Sequence, residues 1–389
     1  MEIKGYADLW KAIIRPPRDN DYEEAHLGPP LFKIRGRQFK RTDIDLENDR
    51  GLTLKCTHYE PIDSQRPCEE LPWVIYLHGN ASSRIEAVPV VKLLLPEDIT
   101  VFSLDFSGSG KSEGEYISLG WYERDDVSTI VQYLRDSGKS STIGLWGRSM
   151  GAVTALLHSN RDPSIAGIVC DSAFSDLKKL SNELAKKYTK MPNFVVSMGT
   201  KFIAKSVRDR AKFELDKVKP INHIKEAFIP ALFGHATDDD FILPSHTETL
   251  HDAYAGEKNY VQFEGDHNTP RPQHFLDSVV IFFLNSLQVH TLVPQGKRDY
   301  SEKLQSIPSF NDEVGYAYND DDEQLQYEGF QGEVTEEDMI RMAIEQSMKT
   351  HDSEKSNTGN NEEKEEAKAE DQENEFLMQA FSLDNDGKK

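Results

Sequence analysis

The chain has 389 residues and a formal net charge of -22, with 45 basic against 67 acidic side chains. The excess is concentrated at the end, where residues 311–389 hold 24 acidic and 7 basic residues, a balance that argues against nucleic acid as a partner. Three scattered cysteines, Cys56, Cys68 and Cys170, exclude a disulfide framework, and no run approaches the ~18 apolar residues of a membrane span.

In chain order, residues 1–37 read as an N-terminal extension. Met1, Glu2 and Ile3 lead into charge and Trp10 rather than the apolar core of a signal peptide, and Glu2 excludes myristoylation. The expectation is therefore a cytoplasmic protein, with the nucleus as a second possibility. From 38 to 290 strands alternate with helices. Strands are predicted at Phe39–Leu46, Leu52–Tyr59, Trp73–Leu77, Thr100–Asp105, Thr142–Trp146, Gly167–Asp171, Ala231–Gly234 and Asn259–Phe263, several of them short apolar runs closed by Gly, Asp or His. Helices are predicted at Ala87–Leu95, Trp121–Asp136, Ala152–Ser159 and His246–Tyr254. The first two strands are joined only by a turn at Asn48–Gly51 and should form an antiparallel edge. The rest should form a mainly parallel sheet with helices on both faces.

Residues 175 to 220 break the alternation. They are rich in Lys and amphipathic, with Met191, Pro192 and Phe194 in the middle. They read as a small helical cap, or equally as a long crossover with a helix pair. Beyond 290 the composition shifts. Residues 291–333 read as a disordered linker, 334–350 as a helix, and 351–389 as an acidic tail.

The chemistry centres on Gly147-Arg148-Ser149-Met150-Gly151, a G-x-S-x-G between an apolar strand and an apolar helix. A nucleophile on so sharp a strand-to-helix turn leaves no room for side chains two residues away, hence the glycines. Strand Trp73–Leu77 ends in His78-Gly79-Asn80-Ala81, where Asn80 or Ala81 would supply one oxyanion N–H and Met150 the other. The strand at 231–234 leads into Asp238, Asp239 and Asp240, and the last strand into His267. The order Ser149, Asp, His267 is that of a hydrolase triad.

Among the three acids Asp239 fits best, with Ile242 three residues on, although its distance from Gly234 implies an insertion that keeps Asp238 and Asp240 open. Gly-Ser-Gly-Lys-Ser at 108–112 is not a phosphate loop, because Asp105 stands where that loop needs Gly. His235, His246 and His274 show no metal-ligand spacing and read as loop or packing residues, as Cys170 reads as buried. Surface ion pairs are expected for Arg84 and Arg148. No cofactor and no metal are called for.

Together with the turn Asp105-Phe-Ser-Gly-Ser-Gly-Lys-Ser-Glu-Gly114, these motifs resemble the serine-aminopeptidase-like, hydrolase-4-type branch of the α/β-hydrolases over roughly residues 40 to 290. The resemblance implies an α/β-hydrolase fold and a serine hydrolase acting on an ester, thioester or amide of a small molecule or an acylated protein. Esters and thioesters are favoured over peptides, since nothing marks a pocket for a free amino terminus.

The segment 334–348 places Glu336, Glu337 and Asp338 before Ile340, Ala343, Ile344 and Ser347, which share one helical face behind a Thr335–Asp338 capping box. It resembles a ubiquitin-interacting motif, which implies ubiquitin or a ubiquitinated protein as a partner. The island Glu375–Asp384 keeps Leu377, Ala380 and Phe381 but has Asp384 where the motif has Ser, a possible degenerate second copy. The alternative is a ubiquitin-binding adaptor whose hydrolase fold is catalytically weak or inactive.

Overall fold

A computed structural model of the chain describes residues 10–11, 13–188 and 203–294. The linker from 295 on, the helix expected at 334–350 and the acidic tail lie outside the described residues, as does the middle of the Lys-rich segment; the first linker residues, by contrast, end a short helix Val289–Leu292 and bury Val293. Among the described residues no helix is long and apolar enough to cross a membrane.

Among the described residues nine strands form one sheet: β1 Leu31–Ile34, β2 Arg37–Glu47, β3 Thr53–Pro61, β4 Leu71–Leu77, β5 Thr100–Leu104, β6 Ser140–Arg148, β7 Gly167–Asp171, β8 Ala231–Ala236 and β9 Lys258–Phe263. Their spatial order is β1-β2-β3-β5-β4-β6-β7-β8-β9. The first three pair antiparallel, and β3 joins β5 antiparallel. From β5 to β9 every pairing is parallel. The helices that matter for the site are α1 Val88–Leu94, α2 Glu123–Asp136, α3 Met150–His158, α4 Leu177–Tyr188, α5 Ser245–Ala253 and α6 Gln273–Ser286.

The central strands β4, β5 and β7 are buried at every residue. That is why they read as continuous apolar runs rather than alternating ones. Two apolar clusters cover the sheet. One joins α2, α3 and α4 to its first face through Val127, Val153 and Leu180. The other brings α1 and α6 to the opposite face through Val91 and Phe283. With both faces of the central strands covered, their ends are where polar chemistry can open to solvent.

The structure departs from the sequence reading at the amino-terminal side. The outer edge is β1, which lies within the residues read as an extension. It pairs with β2 through a two-residue turn in which Arg35 and Gly36 take φ of 47° and 77°. Positive φ at both central positions is the hairpin geometry that Asn-Gly usually signals, and Arg-Gly hides it. Trp10 and Ile14 are buried in the first cluster, and Tyr22 and Leu27 in the second. The described residues before 38 thus form part of the packed body.

Candidate active site

Ser149 occupies the bend between β6 and α3, with φ 51° and ψ -114°. A non-glycine residue in this region is strained, and the strain is held by its surroundings. The Ser149 N–H donates to the Asp171 carbonyl at 2.8 Å. A Cβ on Gly147 would stand 2.2 Å from the carbonyl carbon of Gly151, and one on Gly151 would stand 1.9 Å from the Leu77 carbonyl oxygen. Neither position can carry a side chain without separating α3 from β4 and β6. The two glycines are therefore what lets the serine project from the top of the sheet.

Three side chains from three loops meet there. Nδ1 of His267 lies 2.6 Å from Oδ2 of Asp239, and Nε2 lies 3.2 Å from Oγ of Ser149. A carboxylate only accepts, so Nδ1 carries the proton and Nε2 is left to accept from the serine hydroxyl. Asp239 is buried, and its other oxygen accepts the N–H groups of Phe241 and Ile242 at 3.0 and 2.8 Å. Burial alone would push its carboxyl up. The neighbouring His267 and His235 outweigh that and hold it well below the usual carboxylate range.

The structure separates the three consecutive acids. Asp238 and Asp240 are exposed, Asp240 pairing with Lys187 at 2.7 Å, while Asp239 turns inward. β8 continues through His235 to Ala236, and Asp239 follows three residues beyond its end. His235 is fully buried. Its Nε2 donates to the Ile242 carbonyl at 2.8 Å and lies 3.3 Å from Asp239 Oδ2, so it braces the acid loop.

Met150 and Asn80 share one cavity with Ser149. Met150 is the first residue of α3, where free N–H groups and the helix dipole favour negative charge. Ala81 does not line that cavity. It is buried, at φ 57°. Apart from Ser181 the rest of the described lining is apolar and includes Ile13, Leu177, Leu180, Leu184 and Phe241. Leu177, Leu180 and Leu184 recur at helical spacing on α4, so one face of the Lys-rich segment forms a wall of the cavity.

The turn after β5 supports the loop after β4. The Phe106 N–H donates to His78 Nε2 at 3.1 Å, and His78 Nδ1 lies 2.7 Å from the Gly79 carbonyl. Asp105 accepts from Tyr22 Oη at 2.5 Å and from the Arg84 N–H at 2.7 Å. Arg84 is buried and donates to the Cys56 carbonyl, so it is not the surface residue expected. Burial pushes the thiols of Cys56 and Cys170 well up, which removes both as rival nucleophiles.

A buried ionic web was not visible in the sequence. Arg271 makes a two-pronged pair with Asp171, and both side chains are almost fully buried. Burial would raise the Asp171 carboxyl, but the Arg271 charge holds it below its ordinary value. Arg148 donates to the His267 carbonyl at 3.0 Å and lies 3.7 Å from Glu86. Glu86 in turn accepts from Tyr76 Oη and from the Gly79 N–H. Arg148 is thus only partly exposed and faces the histidine loop.

The comparisons with known proteins agree with this architecture. Residues 70–223 match the family model described as serine aminopeptidase, S33, of the hydrolase-4 type. The esterase Pf2001 of Pyrococcus furiosus superposes with a TM-score of 0.53 at 22% identity, covering 69% of this chain and 97% of that one. Est1E of Butyrivibrio proteoclasticus, in a structure with bound ferulic acid, gives 0.51 at 17% identity, covering 63% and 99%. Together they establish an α/β-hydrolase fold, with a mainly parallel sheet and helices on both faces.

Among curated sequences, the uncharacterized protein YqkD of Bacillus subtilis is 28% identical over 288 residues, covering 72% of this chain and 91% of that one. Lysophosphatidylserine lipase ABHD12 of Danio rerio is 26% identical over 196 residues, covering 48% of each chain. This chain therefore matches about half the length of that lipase.

Proposed function

We propose that this chain is a serine hydrolase that cleaves a carboxyl ester or thioester with an uncharged, aliphatic acyl group, through Ser149, His267 and Asp239. The observation that carries the reading is the continuous hydrogen-bond line from Ser149 Oγ through His267 to Asp239. Ser149 Oγ attacks the acyl carbonyl while His267 Nε2 takes its proton. The C–O or C–S bond to the leaving group then breaks, and the proton passes from the imidazolium to the leaving group. Water, deprotonated by the same nitrogen, releases the acid and restores the serine. Met150 N–H and Asn80 N–H are the donors assigned to the oxyanion, and Asp239 stabilises the imidazolium.

The acyl group is read from the cavity, where none of the lining side chains among the described residues is charged. An aminopeptidase would need a carboxylate there to receive a substrate ammonium group. The relative named as a lipase is in keeping with ester chemistry. The test is turnover of p-nitrophenyl esters and acyl thioesters of increasing chain length beside aminoacyl p-nitroanilides. Ester or thioester turnover is expected, with Leu184→Trp shifting the preference to shorter acyl groups by about tenfold. Turnover confined to substrates with a free amino terminus would contradict the reading.

The tail carries a second proposed role, resting on sequence alone: Ile340, Ala343, Ile344 and Ser347 form the face of a ubiquitin-binding helix. Titration of ¹⁵N-labelled ubiquitin with the full chain should shift the resonances of its apolar patch, and Ala343→Arg should abolish the shifts. Shifts that persist in that variant would refute the motif. The adaptor alternative predicts the same shifts with no hydrolysis.

A further inference from the structure

Two backbone segments must keep a fixed separation if His267 is to reach Ser149, and both end on the same buried ion pair. The Ser149 N–H donates to the main-chain carbonyl of Asp171 at 2.8 Å. Arg271 Nε donates to Asp171 Oδ2 at 2.7 Å and Nη2 to Asp171 Oδ1 at 3.0 Å. The same Nη2 lies 3.2 Å from the His267 carbonyl, and Nη1 donates to the Thr269 carbonyl at 2.6 Å. Asp171 and Arg148 are register partners at the ends of β7 and β6, so this anchor sits on the strand pair that carries the nucleophile.

We propose that Arg271, held by Asp171, is a positioning residue for catalysis. It fixes the His267 backbone relative to the Ser149 backbone, and with it the approach of Nε2 to Oγ. The role rests on the reading of Ser149 and His267 as nucleophile and base. Physical reasons favour arginine here. A planar guanidinium can grip a carboxylate with two N–H groups and still present others to the carbonyls of the following loop. A lysine ammonium is a single point and cannot span those acceptors in the same geometry. Arg148 supports the same carbonyl from the nucleophile side at 3.0 Å, so losing Arg271 should loosen the histidine rather than release it.

Removing Arg271 alone leaves Asp171 buried and unpaired, which costs stability whatever the role in catalysis. The decisive variant is therefore the double replacement Asp171→Leu with Arg271→Met, in which an apolar pair replaces the ionic one and the Asp171 carbonyl stays in the main chain. Three quantities are measured on the full chain for wild type, Arg271→Met, Arg271→Lys and the double variant. They are the thermal midpoint, kcat and KM on p-nitrophenyl butyrate, and the downfield proton resonance of the His267–Asp239 hydrogen bond.

The expected pattern is a double variant that regains most of the stability lost in Arg271→Met. Its kcat should nevertheless remain about 10- to 100-fold down with KM within about threefold, because misplacement of a base by a fraction of an ångström is that costly. Its downfield resonance should be broadened or lost. Arg271→Lys should fall between wild type and Arg271→Met in kcat. A kcat that returns with stability, or an unchanged resonance in the double variant, would overturn the proposal. If the wild-type chain fails to turn over ester, the hydrolase reading fails, and the resonance still decides whether the pair positions the histidine.

Discussion

Replacing Ser149 by alanine should leave the thermal midpoint within a few degrees of wild type and lower ester turnover by about 10⁴-fold or more. The side chain contributes little to packing. The strained bend is held by the Ser149 N–H bond to Asp171 and by the close packing of Gly147 and Gly151, all of which survive the change. His267→Gln should cost as much, because a serine hydroxyl without a base is a poor nucleophile at neutral pH. Combining the two should cost no more than either alone, since the residues act as one unit. Steady-state kinetics on one ester measures all three variants. A Ser149→Ala protein retaining a tenth of wild-type activity would mean that another group attacks the substrate.

The second large effect separates three adjacent carboxylates. Asp239→Asn should lower kcat by about 10⁴-fold, since an amide can leave the imidazole in the wrong tautomer while the geometry stays intact. Asp238→Asn and Asp240→Asn should change kcat by less than about threefold, because both side chains are exposed and Asp240 is engaged with Lys187 at the surface. The Asp239 carboxyl is held well below its ordinary value, so it stays ionised as pH falls through the range where carboxylates usually protonate. Protonation of Asp239 is therefore not expected to be what limits activity in mild acid. The three variants are compared at one pH near neutrality. Equal losses at Asp238 and Asp239 would reject the assignment.

What could be read in the sequence was whatever backbone geometry forces on residue type. Gly147 and Gly151 are glycine because a Cβ has nowhere to go. His78-Gly79 and His267 follow strand ends, where the covered central strands leave room for polar groups. The central strands β4, β5 and β7 announced themselves as apolar runs because both of their faces are covered.

Other features depended on partners far along the chain. Ile242 three residues on favoured Asp239, but only its inward turn separates it from its neighbours, and β8 runs two residues further than its apolar core suggests. Arg271 and Asp171 lie 100 residues apart, and nothing local marks either as half of a pair. An acid closing the wholly buried strand β7 was the one available hint, since such a group needs a cation. β1 escaped notice because Arg35-Gly36 makes its turn without the usual Asn. The wall that α4 contributes to the cavity was legible as amphipathic periodicity, but the pattern alone did not say whether its apolar face met the site or the sheet.

The central claim is that Ser149 is an activated nucleophile. The most direct test is labelling of the full chain with a fluorophosphonate probe, with the modified peptide identified by mass spectrometry. The account predicts a single adduct on Ser149, formed rapidly in wild type, slowed strongly in His267→Gln and absent in Ser149→Ala. A wild-type protein that stays unlabelled, or an adduct that persists in Ser149→Ala, would contradict it.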